Sequence, residues 1–351
     1  MYKYLMNNKI KINKSLKFDI SERPLIIAEI SGNHNGSKKK FLNLIKEAHK
    51  AGADLIKIQT YEPSDITIKS SKKKFFIKSG LWNKKNLWNL YKKAHTPFSW
   101  HKDAFKLAKK LKTTLFSSPF SERAVDLLEK HKVSLYKLAS LEITDLNLVK
   151  KIAKTKKPII ISTGAATLKE INDCLKLIKR YHRKIIILHC VSDYPTLNQN
   201  ADIQRINFLR KKFKSNFIGL SDHTTDIHSA VAATALNVVV IEKHFKISEN
   251  SKSVDSVFSI SPKKMVQLKE FISKVHESLK SKNKKTQKNK HFRRSIYASK
   301  TIQKNEKFTK ENIVALRPKL GLCASKYFKI LNKRSRKIIL KDSPIYEANI
   351  K

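Results

Sequence analysis

The chain has 351 residues, with 75 Lys and Arg against 28 Asp and Glu and a net charge of +47. It is longer than one ordinary domain, and its 40% apolar content suffices for a real core. Three cysteines in no spaced set, Cys174, Cys190 and Cys323, exclude a disulfide framework and point to a reducing cytoplasm. No run approaches ~18 apolar residues, so no membrane span is expected. The N-terminal MYKYLMNNKIKINKSLKFDISER lacks the apolar run of a secretory signal. The lysines are spread over every segment rather than gathered among aromatic residues, which argues against a nucleic-acid partner. Their field would still recruit small anions.

Residues 1–22 form a basic extension. A strand–helix rhythm then fills residues 23–280. Pro24–Ile30 is an apolar strand ending at Glu29 and a polar turn, Ser31–Gly36. Helix Lys38–Ala51 follows and stops at Gly52. Strand Leu55–Gln59 carries Lys57 and Gln59. A long aromatic connection, Glu62–His101, interrupts the rhythm, and an insertion of that length is usually functional. The rhythm resumes with strands Thr114–Ser117, Leu135–Ala139, Pro158–Ile161, Lys184–His189, Phe217–Leu220 and Val238–Ile241, each separated by a helix. Ser121 and Thr167 are read as helix N-caps. Helix Pro262–Leu279 closes the eighth repeat. Eight repeats without a GxGxxG loop favour a closed (β/α)8 barrel, an α/β fold, over a doubly wound sheet. Residues 281–290 are charged and apolar-free, which reads as a linker. Residues 291–351 read as a small β-rich domain. In it FRRSIYASKTI is a strand, and FTKENIVALRPKLGL holds a short capped helix.

Active sites of such barrels lie at the C-terminal strand ends. This chain puts Glu29, Lys57, Gln59, Ser117, Ser118, Lys137, Ser140, Glu142, Ser162, His189 to Tyr194, Ser221, Asp222, His223 and His244 there. His223 and His244 lie 21 residues apart at the ends of consecutive parallel strands. That spacing brings both to one mouth, where two imidazoles with open positions suit a divalent metal. Lys57 and Lys137 interrupt apolar strands, which is costly without an anionic partner. Two lysines, several hydroxyls and the Ser162-Thr163-Gly164 turn form a phosphate cradle. The set reads as a phosphate-bearing substrate beside a metal-activated carbonyl.

The motifs IIAEISGNHNG, DLIKIQTY, FSSPF, YKLASLEITD, IISTGAAT, LHCVSDYP, IGLSDHT, VIEKHF and VDSVFS resemble those of the sialic acid synthase family. FRRSIYASKTI with ALRPKLGL resembles its C-terminal antifreeze-like (SAF) domain, so the likeness runs from about residue 24 to the end. FIKSGLW, YKKAHTPFSWH, FSSPF and LASLEITD are most similar to its pseudaminic acid branch. The resemblance implies a metal-dependent condensation of phosphoenolpyruvate with an amino-sugar aldehyde, releasing phosphate. It implies His223 and His244 as manganese or magnesium ligands. Lys57, Ser118, Lys137, Ser140, Ser162 and Ser221 would bind phosphoenolpyruvate, and Gln59, Glu142 and Tyr194 would contact the sugar. Glu29 and Asp255 would position reactants or move protons. Arg317 would reach a neighbouring subunit's barrel in a domain-swapped homodimer. N-acetylneuraminate or legionaminate synthesis is the alternative within the family, and a basic binding protein on an inactive barrel is the alternative outside it. The chain departs from the family at Ala165, where methionine often follows STG, and at Lys319, where a small residue often follows Arg-Pro.

Overall fold

The structure, a computed structural model, describes residues 9–280 and 289–351. It divides into two compact units, Met1–Lys280 and Ser281–Lys351. The linker expected at 281–290 lies mainly outside the described residues; Lys290–Phe292 is a short 3-10 turn.

The first unit opens with a hairpin, β1 (Lys9–Lys11) and β2 (Lys17–Asp19), paired antiparallel. The basic extension is therefore structured from Lys9 on. Phe18, the one aromatic residue among its described residues, is fully buried. Eight strands follow: β3 (Leu25–Glu29), β4 (Leu55–Thr60), β5 (Thr114–Pro119), β6 (Tyr136–Leu138), β7 (Ile159–Ser162), β8 (Ile185–Cys190), β9 (Phe217–Asp222) and β10 (Val240–His244). They close into a parallel barrel in chain order, with β10 pairing β3. The expected (β/α)8 fold is the observed one.

The outer helices are α1 (Lys38–Lys50), α2 (Pro63–Ile66), α3 (Leu87–Ala94), α4 (Phe98–Lys110), α5 (Glu122–Lys130), α6 (Leu146–Lys154), α7 (Leu168–Lys179), α8 (Arg205–Lys212), α9 (His228–Ala235) and α10 (Pro262–Lys280). Side chains cap several of them as the sequence requires. Ser121 accepts from the Ala124 amide, and Thr167 exchanges bonds with Glu170 in a capping box. Lys112, Lys132 and Lys156 turn out of three helices with positive φ, where glycine is the usual choice. Among the described residues, no helix is long and apolar enough to cross a membrane.

Strand side chains alternate between the barrel interior and the helical layer. The inward set changes character along seven of the eight strands. Ile27 is followed by Glu29, Leu55 by Lys57 and Gln59, Phe116 by Ser118, Leu135 by Lys137, and Ile160 by Ser162. Phe217 is followed by Gly219 and Ser221, and Val240 by Glu242 and His244. The apolar members pack with Ile12 and Phe18 of the hairpin into one cluster filling the N-terminal half of the barrel. The polar members gather at the opposite mouth. A larger apolar cluster lies between strands and helices.

Several strands run past their expected ends. β5 takes in Ser118, β9 reaches Asp222 and β10 reaches His244, because the ladder continues through Gln59–Ser118, Lys243–Asp222 and His244–Glu29. His244 is thus the last strand residue rather than one beyond it.

In the second unit, β11 (Ser295–Ala298) pairs antiparallel with β12 (Ile313–Leu316). The expected helix after Phe308 is absent. Asn312 instead accepts from the Thr309 amide, and the β-branched Ile313-Val314 pair extends as a strand. The core of this unit is small, with Ile296, Ile302, Phe308 and Ile345 at its centre.

Candidate active site

The barrel mouth holds a buried charge network. Lys57 Nζ lies 2.8 Å from Glu29 Oε2 and 3.2 Å from Glu242 Oε1, and Lys137 Nζ lies 3.6 Å from Glu242 Oε1. Ser221 Oγ donates to the same Glu242 oxygen at 3.0 Å. The anionic partners that the two strand lysines required are these carboxylates. Burial opposes the charge on Lys57, but Glu242 and Glu29 outweigh it and hold its pKa up. Burial wins at Lys137 and lowers its pKa despite Glu242. Burial also pushes Glu29 above the usual carboxylate range. At Glu242 burial is overcome by Lys137 and Lys57, which hold it low. Lys57 and Lys137 together present two ammonium donors at the mouth, a pair suited to an anion.

Several polar atoms here are buried without a hydrogen-bond partner. They include both Glu29 oxygens, Glu242 Oε2, Glu142 Oε2, Ser162 Oγ and His244 Nδ1. The Glu29–Lys57 contact is an ion pair by distance, but its angles fall short of a hydrogen bond. Buried polar groups are normally satisfied, so this concentration marks groups that a ligand would satisfy. Ser118 Oγ donates to the Lys137 carbonyl at 3.3 Å, and Ser140 Oγ lies 3.1 Å from Ser192 Oγ. Gly164 borders them, and a Cβ there would sit 2.4 Å from Ser192 Oγ. Gln59, half-buried, stands in register with Ser118. Burial raises the Glu142 pKa to about 7.

His223 and His244 come together, with ring centroids 5.3 Å apart. His223 Nδ1 bonds the Val191 carbonyl at 2.8 Å, which fixes the ring, and lies 3.8 Å from Cys190 Sγ. Burial disfavours the His223 proton, but Cys190 and the Val191 carbonyl outweigh it and raise the pKa. Burial and the charge of His223 hold His244 neutral, well below the usual histidine range. A neutral imidazole with an unpartnered buried nitrogen is the chemistry of a metal ligand. No group of three or more His, Cys, Asp or Glu able to hold a metal occurs among the described residues. The pair therefore fits an ion that takes its remaining ligands from substrate and water.

On its other flank the pair meets aromatic rings. Tyr194 lies 4.3 Å from His223, and Phe258 lies 4.8 Å from His244. Trp82, from the connection between β4 and α3, lies 5.5 Å from Tyr194 and 6.1 Å from Phe258. Asp255 accepts hydrogen bonds from Ser31 Oγ and, at 3.1 Å, from the Gly32 amide. Burial raises its pKa against those bonds.

Three strand-end residues face the helical layer instead. Asp222 pairs with fully buried Lys243 at 2.8 Å, and Ser117 bonds Thr60 Oγ1 at 2.6 Å. His189 Nε2 bonds the Ala201 carbonyl at 2.8 Å. Period-two alternation, applied from Glu29 and Lys57, would have excluded them. The same alternation would have found Glu242, two residues before His244 on one face. Trp82 and Phe258 carried no such signal, because their loops lack a repeat. Arg317 is exposed in the second unit. A cleft of about 1690 Å³ lies at the other end of the barrel beside the hairpin and contains none of these residues.

The NeuB family model matches residues 44–284, and the SAF domain model matches residues 293–351. The chain is 42% identical over 336 residues to the pseudaminic acid synthase of Helicobacter pylori, covering 93% of this chain and 98% of that one. It is 34% identical over 335 residues to the N,N'-diacetyllegionaminic acid synthase of Campylobacter jejuni, covering 93% and 100%. Among solved structures it resembles the N-acetylneuraminic acid synthetase of Leptospira borgpetersenii in complex with citrate. That match has a TM-score of 0.72 and 26% identity, and covers 82% of this chain and 96% of that one.

Proposed function

Since this chain belongs to the NeuB family, we propose that it is a pseudaminic acid synthase. It would condense phosphoenolpyruvate with 2,4-diacetamido-2,4,6-trideoxy-altrose. The methylene carbon of phosphoenolpyruvate bonds to the aldehyde carbon, water adds at C2, and the C–O bond to phosphorus breaks to release inorganic phosphate. The observation that carries this reading is the set of anion donors at the mouth, Lys57, Lys137 and the unpartnered Ser162 hydroxyl, beside the His223–His244 pair that faces a carbonyl. The greater identity to the pseudaminic acid synthase, 42% against 34% for the legionaminic acid enzyme, favours the altrose sugar.

In this reading Lys57 and Lys137 neutralise the phosphate and carboxylate, and Ser118, Ser140, Ser162 and Ser221 donate hydrogen bonds to them. Gln59, Glu142 and Tyr194 orient the sugar. Glu29, lifted to about 7 by burial, and Asp255, raised by burial, are suited to give or accept a proton during water addition. His223 and His244 would hold a divalent ion, manganese or magnesium, with their nitrogen donors favouring manganese. When bound, it polarises the aldehyde. A cytoplasmic location accords with three free cysteines. A homodimer in which Arg317 of each chain completes the other's site is also part of the proposal. Mixing inactive Arg317→Ala and His244→Ala chains should then restore activity; mixtures as inactive as their components would refute the exchange.

The direct test is purified protein with manganese, phosphoenolpyruvate and a panel of amino sugars, read by phosphate release and product mass. The altrose sugar should give the highest kcat/KM. Preference for N-acetylmannosamine or the manno-configured diacetamido sugar would reassign the substrate, and no release with any sugar would overturn the activity.

A further inference from the structure

We infer that Trp82 is a specificity-determining residue, whose ring receives the deoxy end of the sugar and disfavours a terminal hydroxyl. The inference rests on the sugar reading above and extends it to a residue assigned no role from the sequence.

The mouth has two unlike walls. Lysines, carboxylates and serines form one, and Tyr194, Phe258 and Trp82 form the other. With the anion on the first wall and the aldehyde at the imidazoles, the rest of the sugar extends along the second. The rings are graded outward. Tyr194 and Phe258 touch the histidines, whereas Trp82 lies behind both and packs on each. A six-carbon open chain that starts at His223 and His244 therefore brings its last carbon to the outermost ring.

Trp82 is also fixed and saturated. Its Nε1 donates to the Val254 carbonyl at 3.2 Å, beside Asp255, so the indole is held in place and its single donor is taken. Phe258 has no polar atom to offer. A methyl group set against these rings buries apolar surface. A hydroxymethyl group in the same place loses water and gains no partner from either ring. Trp82 also lines a cleft of about 1190 Å³ together with Trp88 and Val257.

The test uses two sugars that differ only at C6, 2,4-diacetamido-2,4,6-trideoxy-altrose and its 6-hydroxy counterpart. The wild-type enzyme should prefer the deoxy sugar, as hydrophobic pockets do, by about tenfold to a hundredfold in kcat/KM. Trp82→Ala should shrink that ratio at least about tenfold, mainly by raising KM for the deoxy sugar, and Trp82→Phe should recover most of it. A structural role alone would lower both sugars together and leave the ratio intact. An unchanged ratio in Trp82→Ala overturns the inference while leaving the synthase reading in place. A wild-type enzyme inert toward both sugars overturns the synthase reading itself.

Discussion

The two ends of one barrel are built from the same inward-facing positions and follow opposite rules. At the N-terminal end Phe18, Ile27, Leu55, Phe116 and Ile160 fill the interior with apolar side chains. One period of the alternation later, Glu29, Lys57, Lys137, Ser162 and Glu242 bury charge and leave polar atoms unpartnered. The first arrangement stabilises without further help, because burial of apolar surface drives folding. The second is costly alone, since a buried carboxylate or imidazole without a partner gives up its hydration. The difference teaches where stability ends and function begins along each strand.

The largest expected effect lies at the mouth and concerns rate alone. His223→Ala and His244→Ala should each lower turnover by about 10³-fold or more while the unfolding midpoint moves little. Phe18→Ala at the other end should do the reverse, costing about 3–5 kcal/mol in denaturant unfolding with kcat of the folded enzyme intact. A His244→Ala enzyme that turns over normally, or a Phe18→Ala enzyme that is stable but slow, would dissolve the contrast between the ends.

A subtler test uses pH. The Glu142 carboxyl, ordinarily near 4.5, is pushed up to about 7 by burial, so the folded state keeps its proton after the unfolded state has lost it. Stability therefore falls as pH rises from 4.5 to about 7 and levels off above that. Glu142→Gln removes this penalty. The ligand-free variant should match wild type near pH 4.5 and exceed it above pH 7, by up to about 3 kcal/mol. An advantage that is flat across pH would show that Glu142 does not hold its proton in the folded chain.

Much of this division was legible in the sequence. Eight apolar runs alternating with capped helices specified the barrel, and the spacing of the two histidines, one repeat apart, foretold that their rings meet at the mouth. Lys57 and Lys137 stood out because a lysine in an apolar strand needs a reason. What escaped was set by face rather than by composition. Asp222 and His189 lie at strand ends but turn toward the helices, whereas Glu242 turns inward. Of the aromatic wall only Tyr194 was named from the sequence, and Trp82 and Phe258 escaped for a different reason. The three come from loops far apart in the chain, and only the closed barrel brings them together. The hairpin of the N-terminal extension was hidden in a lysine-rich segment, where Ile12 and Phe18 carried its apolar signal.

The central claim is that the lysines and the unpartnered Ser162 hydroxyl at the mouth are the seat of phosphoenolpyruvate. Titration calorimetry of phosphoenolpyruvate into the wild-type protein and into Lys137→Met and Ser162→Ala tests it most directly. One molecule should bind per chain, about tenfold or more weaker in each variant, since each removes a charged or hydrogen-bonding partner of the anion. Equal affinity in all three proteins, or no binding to the folded wild type, would contradict it.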